Sequence, residues 1–270
     1  MSDYKAFRVE LKDKIAHVVI NRPEKLNAMN ADFWTEIIDI FRWADETDEV
    51  RVVVLSGAGA HFSSGIDVAM LAQTATKFGA DAARNADLMR RQILKLQASF
   101  TAVDECRKPV LAAIQGYCLG GGIDLITACD MRYATVDAKL SIREVDMGLA
   151  ADVGTLQRLP RIIGDGLARE LAYTGCDISG EEARSMGLVN RTYADYDALI
   201  AGVFEIARVI ASKSPVAVRG SKRMLSYMRD HSIADGLDYV ATWNAAMLQS
   251  ADLRVAMTAF MSKQKPEFAD

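Results

Sequence analysis

The sequence has no apolar run long enough to cross a bilayer: Gly, Asp or Arg interrupts each candidate before the roughly 20 residues a span requires. It also lacks an excess of positive charge. With 32 Lys and Arg against 36 Asp and Glu, the formal charge of −4 supplies no basic field for nucleic acid or anionic lipid, although a few local lysines suffice for a small anion. Cysteine and histidine are scarce. Cys106, Cys118, Cys129 and Cys176 sit in apolar contexts without C-x-x-C pairing, and the three histidines lie far apart, so no zinc site is expected. The four thiols read as reduced, buried small hydrophobes. The opening stretch MSDYKAFRVELKDK has acids from its third residue and no apolar core, so no secretory or import segment is expected and a cytoplasmic protein is. The closing KPEFAD is no peroxisomal address. There is no low-complexity segment and no strict repeat.

What is present is an alternation of two periods. KIAHVVI (residues 14–20) and VRVVVL (50–55) are β-branched runs, and between them apolar residues recur at helical spacing after Asn30, a candidate cap. The pattern returns with a long helix over 81–105, its stripe formed by Ile93, Leu96, Phe100 and Val103, followed by the runs at 109–114 and 131–135. Strands nearly continuous in apolar residues, alternating with helices, predict an α/β core buried on both faces. From about residue 160 only helices are expected: Ser179 with Glu182 forms a capping box, Ser214-Pro215 starts a helix, and Ser250 precedes one through Lys263. This divides the chain into an α/β core over 1–200 and a helical region over 201–270, whose Met-rich stripes suit core or subunit contact.

Two glycine-bearing loops follow strands: SGAGAHFSSGIDV (56–68) and QGYCLGGGIDL (115–125). Neither has the G-x-G-x-x-G spacing of a dinucleotide site. Each alone is an ordinary tight turn. Together, two strand-end turns in one layer can aim one N–H each at a single oxygen, and the amides of Ile66 and Gly121 are the candidates for such an oxyanion hole.

The segment EVDMGLAADVGTLQRLP (144–160) places Glu144, Asp146 and Asp152 in an apolar run with only Arg143 and Arg158 nearby as cations. A carboxylate in apolar surroundings loses several kcal/mol of hydration unless paired or used. The structural readings are that Asp152 caps a helix beginning near Val153, that Glu144 pairs with Arg143, and that Asp124 answers a helix dipole. Asp67, Asp130 and Asp146 read as structural acids, and His61 as a structural histidine.

NRPEKLNAMN, FSSGIDV, KPVLAAIQGYCLGGGIDLITACD and EVDMGLAADVGTLQRLP resemble the signature segments of the crotonase, or enoyl-CoA hydratase/isomerase, superfamily over nearly the whole chain, and most resemble its Δ3,5-Δ2,4-dienoyl-CoA isomerase branch. The resemblance implies a crotonase-like spiral of ββα units with a C-terminal helical region, trimers or hexamers, no cofactor or metal, and an acyl-CoA thioester as substrate. It implies that Asp124, Glu144 and Asp152 are active-site acids, that the Ile66 and Gly121 amides hold the thioester oxygen, and that Lys25, Leu26, Phe260 and Lys263 contact CoA. Side chains between about 70 and 100 would select the acyl tail. Two carboxylates, one near each end of a diene, suit a proton moved between distant carbons, with Glu144 serving C2 and Asp152 serving C6 or the reverse. An enoyl-CoA hydratase is the nearest alternative, disfavoured because Asp124 is one methylene shorter than the Glu a hydratase uses there. A catalytically idle oligomer binding acyl-CoA or RNA is the alternative of another class, and a nicotinamide oxidoreductase a distant one.

Overall fold

A computed structural model describes residues 4–76 and 78–270, with the side chains of residues 71, 72, 74 and 75 outside the description. Part of the expected tail-selecting stretch and the first three residues of the opening segment therefore lie outside the described residues. In chain order the strands are β1 (Phe7–Lys12), β2 (Ile15–Ile20), β3 (Val52–Gly57), β4 (Val110–Ile114), β5 (Tyr117–Leu119), β6 (Met131–Thr135), β7 (Lys139–Ser141), β8 (Ile178–Ser179) and β9 (Arg191–Tyr193). The helices are α1 (Ala31–Glu46), α2 (Val68–Ala75), α3 (Ala82–Glu105), α4 (Gly121–Ala128), α5 (Thr155–Ile163), α6 (Asp165–Thr174), α7 (Gly180–Ser185), α8 (Tyr196–Ala211), α9 (Pro215–Tyr227), α10 (Ile233–Met247) and α11 (Ala251–Ser262).

Six strands form one sheet in the order β1-β2-β3-β4-β6-β9, parallel except for the β1–β2 hairpin, and β5-β7-β8 form a second, smaller sheet. The apolar runs explain why the large sheet is covered on both sides. Val53, Leu55, Ala112 and Ile114 face a core shared with Phe33, Ile37 and Phe100 of α1 and α3. Their alternating neighbours Val52, Val54, Leu111 and Ala113 face a second core with Leu199, Val203 and Ala207 of α8. Side chains two apart share a face, so a strand with no polar alternation needs cover on both. Each fully buried Val, Leu or Ile there contributes about 1.5–3 kcal/mol.

The helix starts follow local chemistry. Asn30 accepts the Phe33 amide at 3.0 Å, Ser179 and Glu182 form a reciprocal capping box, and Ser214 and Ser250 cap α9 and α11. Three sequence expectations need correction. Strands do not stop at residue 160: β8 extends the small sheet and β9 closes the edge of the large one. At two and three residues they are too short to display a period. Cys176 is exposed, unlike Cys106, Cys118 and Cys129, because the chain turns out at Gly175 after α6. The helix after Asp152 begins at Thr155 behind Gly154, with no side-chain cap, so Asp152 caps nothing. Helix α8 straddles residue 200 and packs on the sheet.

Candidate active site

The two glycine loops meet. Met29 donates to the Gly65 carbonyl at 2.8 Å and accepts from the Asp67 amide at 3.1 Å, the pattern of a parallel bridge between Met29 and Ile66. In such a bridge the amide of the middle residue points the other way. The Ile66 N–H therefore faces the second loop, held nearby by the bridge between Ser63 and Cys118. A methyl group built on Gly121 would lie 3.7 Å from the Ile66 nitrogen, and one on Gly65 would lie 3.3 Å from the Gly121 nitrogen. Among the described residues neither amide donates to a protein acceptor. Gly65 has φ +89°, and a side chain there would also press to 2.7 Å from the Leu119 carbonyl oxygen.

Glu144 opens a 3-10 turn (Glu144–Met147), and its carboxyl lies against the second loop: a methyl group on Gly120 would meet Oε1 at 3.3 Å. Oε2 is buried with no partner among the described residues. Arg143 does not pair with it; its guanidinium turns to Asp146 at 3.2 Å and Asp177 at 2.6 Å. Burial first, and then the charges of Asp124 and Asp152, push the Glu144 carboxyl up to about 7.

Asp124 stands in the first turn of α4 and is fully buried. Oδ1 accepts the Thr155 amide at 2.6 Å, while Oδ2 has no partner among the described residues. Burial raises this carboxyl to about 6; its contact with Thr155 holds it down, Asp152 adds to the rise, and Arg158 opposes it. Asp152 follows buried Ala151 and precedes buried Val153, while its own side chain reaches the surface. Its carbonyl is held by Gln97 of α3 at 2.7 Å, and burial raises its carboxyl as well.

The structure thus brings together Ile66, Gly121, Asp124, Glu144 and Asp152. Lys25 and Leu26 sit in a turn against the first loop, where the Leu26 carbonyl accepts the Ser64 amide at 2.9 Å. Phe260 and Lys263 are not brought to the acids by any hydrogen bond or ion pair among the described residues; they stand exposed at the end of α11. Asp67 lies 3.4 Å from Arg22, Asp130 binds Lys222 at 2.7 Å, and the His61 ring accepts the Tyr117 amide at 3.1 Å and stacks on that residue. A cavity of about 1160 Å³ lies between α3, α5 and α9, lined by Val153, Gly154 and Arg158 but by none of the three acids. Thr155 is the residue that sequence reasoning passed over: a threonine opening a helix looks ordinary until its contact with Asp124 is seen.

Two inward amides beside carboxyl groups poised near neutrality can bind a carbonyl oxygen, stabilise negative charge developing on it, and exchange protons with adjacent carbons. The sequence pattern of the family described as enoyl-CoA hydratase/isomerase matches residues 10–270. The chain is 48% identical to the peroxisomal Δ(3,5)-Δ(2,4)-dienoyl-CoA isomerase of Arabidopsis thaliana, over 100% of this chain and 99% of that one. It is 49% identical to the mitochondrial Δ(3,5)-Δ(2,4)-dienoyl-CoA isomerase of Mus musculus, over 97% and 81%. The crystal structure of an enoyl-CoA hydratase from Bacillus anthracis superposes with a TM-score of 0.89 at 30% identity, covering 98% of this chain and 99% of that one.

Proposed function

The chain belongs to the enoyl-CoA hydratase/isomerase family, and on that premise we propose that it converts 3,5-dienoyl-CoA to 2,4-dienoyl-CoA by proton transfer, with the CoA thioester as substrate and no cofactor. Removing a proton from C2 of the 3,5-diene gives an extended dienolate with charge on oxygen, C2, C4 and C6. The Ile66 and Gly121 amides stabilise the oxygen, each contributing roughly a hundredfold to a thousandfold in rate. Glu144, against the loop that carries the Gly121 amide, takes the C2 proton. Asp152, in the loop before α5 and protonated at the start, delivers its proton at C6, and exchange with solvent then strips Glu144 and reloads Asp152. Lys25 and Leu26, with Phe260 and Lys263 from α11 of the same or a neighbouring subunit, hold CoA.

The observation that carries this reading is the placement of Glu144 beside the oxyanion loops with one oxygen unpaired among the described residues and its carboxyl raised to about 7, poised to accept the C2 proton. Asp124 favours isomerisation over hydration: one of its oxygens is committed to Thr155, which leaves it ill-suited to activating water. A trimer or hexamer is supported by the exposed apolar side chains Leu225, Ile233 and Phe260 along the C-terminal helices. A cytoplasmic place stands as a proposal beside relatives named peroxisomal and mitochondrial, and cell fractionation decides it.

The test is incubation with a 3,5-dienoyl-CoA in deuterium oxide, following the ultraviolet absorbance of the 2,4-dienoyl thioester and the mass of the product. Glu144→Gln is expected to abolish both the absorbance change and exchange at C2. Asp152→Asn is expected to lose the absorbance change while C2 exchange persists. A mass gain of one water on a 2-enoyl-CoA, with no double-bond migration in the diene, would make the chain a hydratase instead.

A further inference from the structure

Three of the buried side-chain oxygens without a hydrogen-bond partner among the described residues belong to neighbouring groups: Asp124 Oδ2, Glu144 Oε2 and Thr155 Oγ1. One of these acids, Glu144, takes a proton in the proposed reaction. Thr155 has no part in it so far. It is 1% exposed and is the first residue of α5, where the preceding Gly154 makes no side-chain cap, so its hydroxyl is not needed to start the helix. A buried hydroxyl left unpaired costs about 1–3 kcal/mol, and valine would fill the same space without that cost. The Thr155 amide is already committed to Asp124 Oδ1 at 2.6 Å, which sets its hydroxyl beside the same carboxyl.

We propose that Thr155 is a positioning residue for the proton transfers: its amide fixes the Asp124 carboxyl and its rotatable hydroxyl donates to that group when ionised, so the pair's negative charge settles on Asp124 and its last proton on Glu144. This deepens the isomerase reading and rests on it for its catalytic meaning. A fixed charge at Asp124 repels ionisation of Glu144 and raises its proton affinity, which suits it to taking the C2 proton and then releasing it to solvent. The other groups facing the pair are Asp152, whose charge raises both, Arg158 of α5, which opposes the rise at Asp124, and Cys118 of β5, whose thiol is itself pushed up by burial. Among the described residues none of these donates a hydrogen bond to Asp124 in place of the threonine.

The test reads the resting protein without substrate. In pH-difference infrared spectra, a protonated buried carboxyl gives a C=O band, assigned here through Asp124→Asn and Glu144→Gln. Thr155→Val is expected to keep Asp124 protonated to higher pH and to let Glu144 ionise at lower pH, each by about half a unit or more. Thr155→Ser is expected to match the unchanged protein. The acidic limb of kcat/KM for 3,5-dienoyl-CoA then moves down in Thr155→Val and moves no further when Thr155→Val is added to Asp124→Asn. Unshifted bands in Thr155→Val, or bands displaced equally by Thr155→Ser, would overturn the proposal. If the valine variant does not fold, Thr155→Ala carries the same expectation. Because the bands are read without substrate, they stand even if no diene is isomerised, an outcome that would count against the activity alone.

Discussion

At the scale of single residues, Asp124 and Glu144 are acids held where water cannot easily serve them. Glu144 shows what this costs. Its carboxyl is raised from an ordinary 4.5 to about 7, so the folded chain binds its proton more tightly than the unfolded chain does. The stability this lends is complete below about pH 4.5 and is lost as pH rises through 7. Glu144→Gln has no such proton to lose. Its stability relative to the unchanged protein is therefore expected to improve between pH 5 and pH 8, by on the order of 2 kcal/mol after allowing for partial exposure. Urea unfolding at the two pH values measures it, and a gap that stays constant would mean the carboxyl is not raised. The acids themselves were legible as charges stranded in an apolar run. Thr155 was not, because a small polar residue at a helix start is common and only its burial against Asp124 sets it apart.

At the scale of elements, the alternation of β-branched runs with helical stripes predicts β2, β3, β4, β6, α1 and α3 within about two residues, since periodicity records which faces are buried. Short strands escape this. β5, β7, β8 and β9 have two or three residues each, and their pairing comes from neighbours distant in sequence. The glycine loops belong to this scale too, because the site's geometry depends on backbone that no other residue can follow. Gly65→Ala would force a side chain onto φ +89° and toward the Leu119 carbonyl oxygen. We expect a loss of about a hundredfold or more in kcat as the Ile66 and Gly121 amides separate, with a destabilisation of about 1–3 kcal/mol. Gly166→Ala, on open surface, should leave both unchanged. Steady-state kinetics beside circular dichroism tells the two effects apart, and full activity in Gly65→Ala would remove this turn from the mechanism.

At the scale of the whole molecule, the C-terminal segment folds back and is tied to the core. Buried Arg51 binds Asp270 at 2.8 Å and donates to the carbonyls of Ala211, Phe268 and Ala269, while Lys14 also reaches Asp270. Between this anchor and α8, the helices α9 to α11 leave large apolar side chains in the open, with Phe260 86% exposed. Sedimentation velocity is expected to show three or six chains, and Phe260→Asp with Leu225→Asp to shift the boundary toward the single chain. A monomer at micromolar concentration would leave those side chains without an assembly to serve.

The sequence by itself determined the α/β alternation, the helix caps, the two glycine turns and the family, because each is written in local spacing or in short contiguous motifs. Only the tertiary structure decided that the Ile66 and Gly121 turns face one another, that Arg143 turns away from Glu144, and that Thr155 stands on Asp124. Those are meetings between residues separated by tens of positions, set by sheet register and helix packing, and nothing in a local pattern specifies which of many possible neighbours a folded chain will bring into contact.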